Sequence, residues 1–588
     1  MEPQASGKWA FASNDSFPLS SPQTRAASLD IGSFTVRPLN PLSSSSESLR
    51  KSLEKGPLGD VQQEEWARGV GFWRCFTGLC VPILLSAFEG SVVSTALPTI
   101  SQSLGLGPNS SWVATAFLLA SIVFQPLYGQ LADIWGRRHL MMAAVVIFGG
   151  GSAIAACADG CAVLIFGRIV QGVGSGGIDL FAELILCDIV PLKRRGHYVA
   201  IKAAVYALGT TIGPLLGGVF AQTNWRWCFG INLPVCVAAL VMMWLWLQVK
   251  NGNTWQGFSL MEQLSHVDFL GILLLTTSVV LILCALSLAG TVHSWSEPII
   301  IGSMAGGLLG IVAFIFWERC QRCSHPIMAP HVFSNRTTIA ALVITTLHGF
   351  ITYGFQFYLP PFFQALLGAS PAESGILILP CSLTIVILAA VGGPLLARYG
   401  RYRLMHRAGF LVMAAGLLPC IASKYITSVA LWISLSFLVG IGSGIMVSTT
   451  LPTVLVELTD KENAAATGSW AFLRGLGSLL GVAIPNTVFN AQFATSLSSI
   501  EDEEVRGQLS NGQAYEHASA KYISGLGEDL RNQVLCAFAD SFKLVWVIFS
   551  ILAMLGAATT VLERQVRLRR DLDSDYGLKR SHGCENRR

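Results

Sequence analysis

The chain has 588 residues, of which 52% are hydrophobic and only 13% are charged, and its formal net charge is +4. A soluble protein carries about 25% charged residues, so this composition excludes a mainly water-facing exterior and indicates a surface that mostly contacts lipid. The sequence has no repeated basic surface of the kind that nucleic acid requires, so no nucleic-acid partner is expected.

Residues 1–72 form a polar, serine-rich segment that precedes the first long apolar run. This segment lacks the early apolar core of a signal peptide. It cannot bury enough apolar surface to fold, so we predict a disordered tail on the cytoplasmic side.

Fourteen apolar runs follow, and each is long enough to cross a bilayer, for which about 20 residues suffice. Their approximate limits are residues 76–98, 112–132, 140–158, 163–187, 199–220, 228–248, 269–289, 298–317, 338–363, 374–396, 406–423, 429–452, 465–487 and 542–562. The sequence therefore predicts an all-α polytopic membrane protein with fourteen spans.

Lysine and arginine are concentrated in alternate short loops, which the positive-inside rule assigns to the cytoplasm. The cations of these loops are Arg137, Arg138, Lys193, Arg194, Arg195, Lys250, Arg319, Arg322, Arg336, Arg398, Arg401, Arg403 and Arg407. Fourteen spans return both termini to that side, where residues 564–588 form a basic tail. The long connection 488–540 is expected outside as a solvated segment, and Asn109 is the predicted glycosylation site on the same side.

Span 1 contains one acidic residue, Glu89, in its outer half. Charge inside a membrane is costly and usually functional. A carboxylate at this depth can bind and release a proton, so we interpret Glu89 as a proton-coupling residue. The alternative is a glutamate that hydrogen-bonds a neighbouring helix for packing only.

The short link between spans 2 and 3 combines glycines with charges. Gly129 and Gly136 allow backbones to approach closely. Asp133 and Arg137 lie four residues apart, which on a helix end places opposite charges side by side, and Arg138 follows. We interpret this link as a latch, a charge pair that stabilises one of two bundle arrangements; the alternative is an ordinary charged loop.

Span 4 begins with Arg168 and Gln171 and later contains Asp179 and Glu183. The guanidinium group of Arg168 cannot lose its proton and needs a carboxylate partner or water. The two acids recur along the same helix face, which favours a wet face that points inward, although Glu183 is near the cytoplasmic end and could reach water from there.

Span 5 carries glycines four residues apart beside a proline. Gly209, Gly213, Gly217 and Gly218 allow another helix to pack closely, and Pro214 removes a backbone hydrogen bond and favours a kink. Small-residue packing alone is common in membrane proteins, but the added Gly-Pro and Gly-Gly pairs are more specific.

Spans 9 and 13 contain further polar and aromatic groups. His348, Tyr353, Gln356 and Tyr358 lie in span 9, and Arg474 is an intramembrane cation in span 13. Aromatic rings with amides suit a flat, poorly charged ligand, so these residues and Gln171 are the predicted substrate cavity. Packing or lipid contact explains many of them equally well.

The two halves of the chain repeat the same glycine patterns. Gly129, Gly136 and Arg137 recur 264 positions later as Gly393, Gly400 and Arg401, while Ala397 replaces the acid. Two further patterns recur at nearly the same offset: Gly213 with Gly217 as Gly477 with Gly481, and Gly172-Val-Gly174-Ser-Gly176 as Gly440-Ile-Gly442-Ser-Gly444. Duplication of a six-span unit, with spans 7 and 8 inserted between the copies, explains this order.

The motifs resemble those of the major facilitator superfamily, specifically its fourteen-span drug:proton antiporters. Gly129–Arg138 is similar to the loop motif after span 2, Arg168–Gly176 to the span-4 motif implicated in proton coupling, and Gly209–Gly218 to the span-5 antiporter motif. Glu89–Pro98 is similar to the span-1 motif, with Glu in place of the usual Asp. The resemblance covers about residues 74–563.

The resemblance implies a major facilitator fold of two six-helix bundles plus two inserted helices. The bundles are expected at residues 73–249 and 337–563, and the linker 250–336 carries the inserted pair. No enzyme is expected, since the chain lacks a phosphate-cradling glycine-rich loop with its lysine and a Ser/His/Asp set. No cofactor is expected, and the lone pair Cys320 and Cys323 lacks the second ligand pair that a zinc site needs.

By this resemblance the protein is expected to export small hydrophobic compounds, such as toxins, secondary metabolites or drugs, in exchange for protons. Glu89, Arg168 and Asp179 would couple the proton. Siderophore and vacuolar basic amino acid transporters share the span count, and a non-transporting membrane sensor is the alternative of another class. The expected partners are substrate, protons and the lipid bilayer of the cell membrane, or of the vacuole, around a monomer.

Overall fold

A computed structural model describes residues 70–105, 110–190, 192–247, 259, 261–262, 267–289, 293–320, 326–328, 330–425, 428–459, 462–510, 514, 518 and 520–566. Within these residues the chain is helical and forms no β-strand, which confirms the predicted all-α class. Asn109, residues 1–69 and residues 567–588 lie outside the described residues, and the predictions made for them stay predictions.

Fourteen long helices follow one another, and one of them is divided. They are α1 (Val70–Leu104), α2 (Ser110–Val123 and Gln125–Trp135), α3 (Arg137–Ala156), α4 (Cys161–Ile189), α5 (Leu192–Thr223), α6 (Asn232–Trp246), α7 (Phe269–Leu288), α8 (Pro298–Arg319), α9 (Arg336–Leu366), α10 (Pro371–Tyr399), α11 (Tyr402–Leu417), α12 (Val429–Val447), α13 (Asn463–Ser496) and α14 (Glu528–Thr559). Thirteen are long and apolar enough to cross a membrane. The remaining helix, α5, is 32 residues long but carries Arg195 and Lys202.

The turn between α2 and α3 depends on Gly136. Its φ of 79° lies in the region that residues with a Cβ rarely adopt. Gly136 therefore ends α2 and allows α3 to begin at the next residue. Gly400 also has a positive φ, 65°, and ends α10 in the left-handed helical conformation shortly before α11 begins. The two glycines are 264 positions apart in the sequence, so the predicted repeat reappears as a glycine with positive φ between two consecutive helices.

Glycines also set the packing inside each half. A Cβ on Gly174 of α4 would lie 2.7 Å from the carbonyl oxygen of Ala144 on α3. In the second half, a Cβ on Gly442 of α12 would lie 3.0 Å from the backbone nitrogen of Met413 on α11. The two copies therefore use equivalent glycines to bring equivalent helices into contact, as expected for a duplicated unit.

The two halves meet mainly along two helix pairs. Helix α5 packs along α10, and the second segment of α2 packs along α13. The inserted helices α7 and α8 pack on each other, and α7 also contacts α13 and the first segment of α2. The inserted pair therefore lies beside the junction of the two halves.

The connection between the last two spans is shorter and more ordered than the predicted solvated segment 488–540. Helix α13 continues to Ser496, and α14 begins at Glu528. Short helices occupy part of the remainder, and Val505, Leu509 and Ile523 are buried in the core of the second half. Because these apolar side chains pack on the helix ends, the segment folds back as part of the protein.

The residues after α14 are fastened to the second half at the basic end of the helices. The Tyr402 hydroxyl contacts the carbonyl of Arg564 and accepts from the backbone N–H of Val566 at 3.0 Å. Buried His406 and Glu563 form a 2.8 Å contact between Nδ1 and Oε1. Residues 560–566, here the C-terminal strap, are thereby held against the start of α11.

Candidate functional site

Glu89 is fully buried in the first half, where its carboxylate contacts two other helices. Oε1 pairs with Nη1 of Arg168 on α4, and Oε2 accepts a hydrogen bond from Nδ2 of Asn232 on α6. A buried charge needs such partners, because it has lost the water that would otherwise solvate it. The structure thus joins two predicted residues, Glu89 and Arg168, and adds Asn232.

A chain of hydrogen bonds extends from this pair. Nη1 of Arg168 also donates to Oε1 of Gln171 at 2.9 Å, and Nε2 of Gln171 donates to Oγ of Ser152 on α3 at 2.7 Å. Nε of Arg168 donates to the carbonyl of Val113 at 2.9 Å, and the guanidinium lies 4.3 Å from the ring centre of Phe117 on α2. With one carboxylate and one guanidinium, the network has no net charge. A proton added to Glu89 would give the network a positive charge.

The predicted wet face of α4 is instead packed against neighbouring helices. Arg168 and Glu183 are each only 1% exposed. Glu183 does not reach water but forms an ion pair with Lys202 of α5, with 2.6 Å between Oε1 and Nζ. Because other helices supply the counter-charges, solvent is not needed on this stripe.

Asp179 lies where the two halves meet. Its carboxylate accepts from the Ser86 hydroxyl at 3.3 Å and interacts electrostatically with Lys202 and with Arg474 of the second half. The Arg474 guanidinium lies 4.7 Å from the ring centre of Trp470.

Two tyrosines join the same region from opposite halves. Tyr206 of α5 interacts through its hydroxyl with Tyr353 of α9. It also interacts electrostatically with Asp179 and Arg474. Tyr353 is 46% exposed, so its ring is accessible. Asp179, Arg474, Tyr206 and Tyr353 together form a mixed polar and aromatic lining, which we call the interhalf site. Two of the four, Tyr353 and Arg474, are predicted cavity residues.

Other predicted cavity residues lie inside the second half. His348 is buried, and its Nε2 contacts Oγ of Ser443 at 2.9 Å, which is the structural hydrogen bonding common for a lone membrane histidine. Tyr358 is fully buried and donates to the carbonyl of Val482 at 2.9 Å, so it does not line an open cavity as predicted. It packs among the aromatic rings of α9 and α14. Gln356 is half-buried on α9.

In the latch region, Arg137 has a buried partner that the sequence did not predict. Nε of Arg137 donates to Oδ2 of Asp188 at 3.1 Å, and both side chains are buried. Nη1 of Arg137 donates to the carbonyl of Ala132 at 2.8 Å, which holds the end of α2. Arg138 donates to the carbonyl of Trp244 at 2.7 Å. The side chain of Asp133 lies outside the described part, so its pairing stays a prediction.

The second segment of α2, which leads into the latch, also contacts the second half. A Cβ on Gly468 of α13 would lie 3.6 Å from Cα of Gly129. An ion pair that fixes the end of α2 therefore acts on a helix that forms the junction of the halves. Asp188 was missed from sequence, although an acid between the predicted end of span 4 and apolar Ile189 and Val190 was a usable indication.

The glycine motif of α5 brings this helix against α1 next to Glu89. A Cβ on Gly209 would lie 2.7 Å from the carbonyl oxygen of Leu84, and one on Gly213 would lie 2.9 Å from that of Phe88. Pro214, Gly217 and Gly218 continue the same helix. The motif therefore sets the distance between α5 and the segment that carries the buried carboxylate.

Replacing Gly213 with alanine should destabilise the protein by about 1–3 kcal/mol, because the added methyl group has no room against α1. Gly150→Ala is the matched control, since a Cβ there meets nothing within 4 Å. Thermal unfolding of the purified full-length variants measures the difference. Equal unfolding midpoints for the two variants would contradict the packing role.

Comparison with known proteins agrees with this architecture. Residues 79–482 match the family model of the Major Facilitator Superfamily. The chain belongs to the major facilitator superfamily. Members of this superfamily are membrane transporters, so the protein is a multi-pass membrane protein that acts on small molecules and is not an enzyme.

Several fungal members of the superfamily are similar over nearly their whole length. The MFS-type efflux transporter ffsH of Aspergillus flavipes is 37% identical over 517 residues, which cover 87% of this chain and 88% of the relative. The efflux pump FUS6 of Gibberella fujikuroi is 36% identical over 540 residues, covering 91% of this chain and 96% of the relative. The resemblance to superfamily efflux pumps of the fungal toxin type is thereby confirmed.

Two solved superfamily structures share the fold at low sequence identity. The human organic anion transporter MFSD10 aligns with a TM-score of 0.53 and 14% identity, covering 83% of this chain and 99% of that one. The proton:xylose symporter XylE aligns with a TM-score of 0.51 and 14% identity, covering 83% and 94%. They support the predicted major facilitator fold.

Proposed function

We propose that this transporter exports small, largely hydrophobic compounds in exchange for protons. The observation that carries the proposal is the buried network of Glu89, Arg168 and Asn232, an ionisable carboxylate kept inside the first bundle at high solvation cost. A structural role alone would be met more cheaply by neutral groups. The names of the fungal relatives, efflux transporters and pumps, support the direction of transport.

The interhalf site supports a substrate with little net charge. Its one acid, Asp179, is already opposed by Lys202 and Arg474, and nearby Glu183 is paired with Lys202. A basic amino acid would have to compete with those cations for the carboxylates. The two tyrosines offer flat apolar surface, so a neutral or weakly polar compound is favoured over a basic one.

The proposed cycle links the two sites through helix α4, which carries both Arg168 and Asp179. Protonation of Glu89 removes the negative charge that faces Arg168, so the arginine needs another acceptor and α4 can shift. Deprotonation restores the pair. A substrate in the interhalf site would experience this shift through Asp179, and the latch ion pair would stabilise one of the two arrangements.

We also propose the cellular setting that the loops indicate. Both termini face the cytoplasm, the protein acts as a monomer in the plasma membrane, and Asn109 carries the glycan on the outer side. Protease access to tagged termini in sealed cells tests the orientation. Digestion of both tags in intact cells would contradict it.

Transport in vesicles tests the coupling directly. A growth screen against drugs and metabolites first identifies a compound to which cells lacking the protein are sensitive. Purified full-length protein is then reconstituted, and that compound is offered outside vesicles with an acidic interior. We expect uptake that stops when a protonophore removes the gradient. Uptake that does not depend on the gradient would contradict antiport, as would movement of the compound in the same direction as protons. The absence of any flux would favour a sensor.

A further inference from the structure

A cavity of about 360 Å³ lies at the basic end of the second half, apart from the network around Glu89 and the interhalf site. It is lined by Arg401, Arg403, Leu404, Arg407 and Gln565. The first four residues belong to the turn after α10 and the first turns of α11, and Gln565 belongs to the C-terminal strap. We call it the arginine cavity.

Two of the three arginines that line this cavity are held by uncharged groups of the C-terminal strap. Nε of Arg403 donates to the carbonyl of Thr560 at 3.2 Å, and Nε of Arg407 donates to the Thr560 hydroxyl at 3.2 Å. These partners are uncharged. The acid of the C-terminal strap, Glu563, is paired with buried His406. Within the described part of the chain, the ion pairs include none of the three arginines that line the cavity.

Helix α11 adds positive potential to the same place. Arg401 is its N-terminal cap residue, and the first turn contains no acidic residue. The N-terminal end of a helix carries a partial positive charge that favours anions and disfavours nearby cations. Three arginines gathered there repel one another and the helix end, and a bound anion would relieve both effects.

The cavity also opens toward the lipid-facing surface of α11. Leu404 lines it and is 58% exposed. Leu411, two helical turns further along the same face, is 47% exposed. Exposed leucines on a membrane-spanning helix contact acyl chains, so an occupant of the arginine cavity can be continuous with the bilayer.

We propose that the arginine cavity binds the phosphate group of an anionic phospholipid headgroup, with the acyl chains lying along Leu404 and Leu411. Guanidinium groups match phosphate oxygens through paired N–H donors. Negative lipids are concentrated in the cytoplasmic leaflet, the side to which the basic loops are assigned. Bound lipid would bridge α11 and the C-terminal strap.

The test is lipid binding by the full-length protein in neutral detergent, measured by native mass spectrometry. Dioleoyl phosphatidylinositol 4-phosphate and phosphatidylserine are the anionic probes, and phosphatidylcholine is the neutral one. We expect the anionic lipids to bind, phosphatidylcholine to bind at least about tenfold more weakly, and Arg401→Gln to weaken anionic binding about tenfold. The Arg401 side chain makes no hydrogen bond within the described residues, so this variant should fold.

Arg398→Gln is the matched control, because it removes the same charge three residues earlier, in the last turn of α10, but lies outside the cavity, beside the ring of Tyr399. Unchanged lipid binding in this control supports the site, whereas a loss equal to that of Arg401→Gln would indicate general attraction to basic loops and overturn it. Inorganic phosphate at millimolar concentration serves as the free-anion arm. Displacement of the lipid by phosphate at lipid-like affinity would show a free-phosphate site and overturn the lipid assignment.

Discussion

Replacing Glu89 with glutamine should reduce proton-driven export at least about 100-fold while the protein still reaches the membrane. Glutamine keeps the shape of the side chain but cannot take up or release a proton, and loss of a positioned proton-transfer group costs about this much. The site can accept the amide, because Oδ1 of Asn232 has no hydrogen-bond donor among the described residues and can accept from it after rotation. Export from vesicles under an imposed pH gradient measures the change.

Two further variants separate proton coupling from folding. Glu89→Asp retains a carboxylate and should retain measurable export. Glu89→Gln leaves the buried charge of Arg168 without its counter-charge, which costs about 3–5 kcal/mol when nothing compensates. Glu89→Gln with Arg168→Gln removes both charges, so it should recover stability and stay inactive. Glu503→Gln, at an exposed acid, should behave as wild type. Normal pH-dependent export by Glu89→Gln would refute the assignment.

The fold could be predicted from sequence because a bilayer requires long apolar helices, and thirteen of the fourteen long helices in the described residues meet that requirement. The repeat could be predicted because a glycine with positive φ follows both α2 and α10, at Gly136 and Gly400. The helix limits near 488–540 could not be predicted. Apolar residues such as Val505 and Leu509 are too widely spaced there to form an apolar run, and they become buried only through contacts with distant helices.

The chemistry of the site was only partly predictable. Glu89 and Arg168 stand out because a charge in an apolar run is rare, but their pairing across 79 positions needs the tertiary structure. Asn232 is uncharged and lies at the start of a span, so its polarity gave no warning that it donates to the carboxylate. Tyr358 shows the reverse error, because an aromatic residue looks the same in sequence whether it packs in a core or lines a cavity.

The latch provides the second large expected effect. Arg137→Gln should slow transport about tenfold or more with substrate affinity largely kept, because it breaks the buried ion pair with Asp188 and releases the end of α2. The loss of one partner of a buried ion pair costs about 3–5 kcal/mol, so one bundle arrangement would lose much of its stability. Initial rates across a substrate series separate turnover from affinity. Asp133→Asn should also slow turnover if the acid belongs to the latch.

The repeat supplies the control for this prediction. Arg401 occupies the equivalent position in the second half, is exposed and belongs to none of the ion pairs of the described residues. Arg401→Gln should therefore slow transport much less than Arg137→Gln does. Arg137→Gln with Asp188→Asn removes both buried charges and should restore the amount of folded protein without the full rate. Equal rates for Arg137→Gln and Arg401→Gln would show that the ion pair does not control the junction of the halves, since only Arg137 fastens the helix that packs along α13.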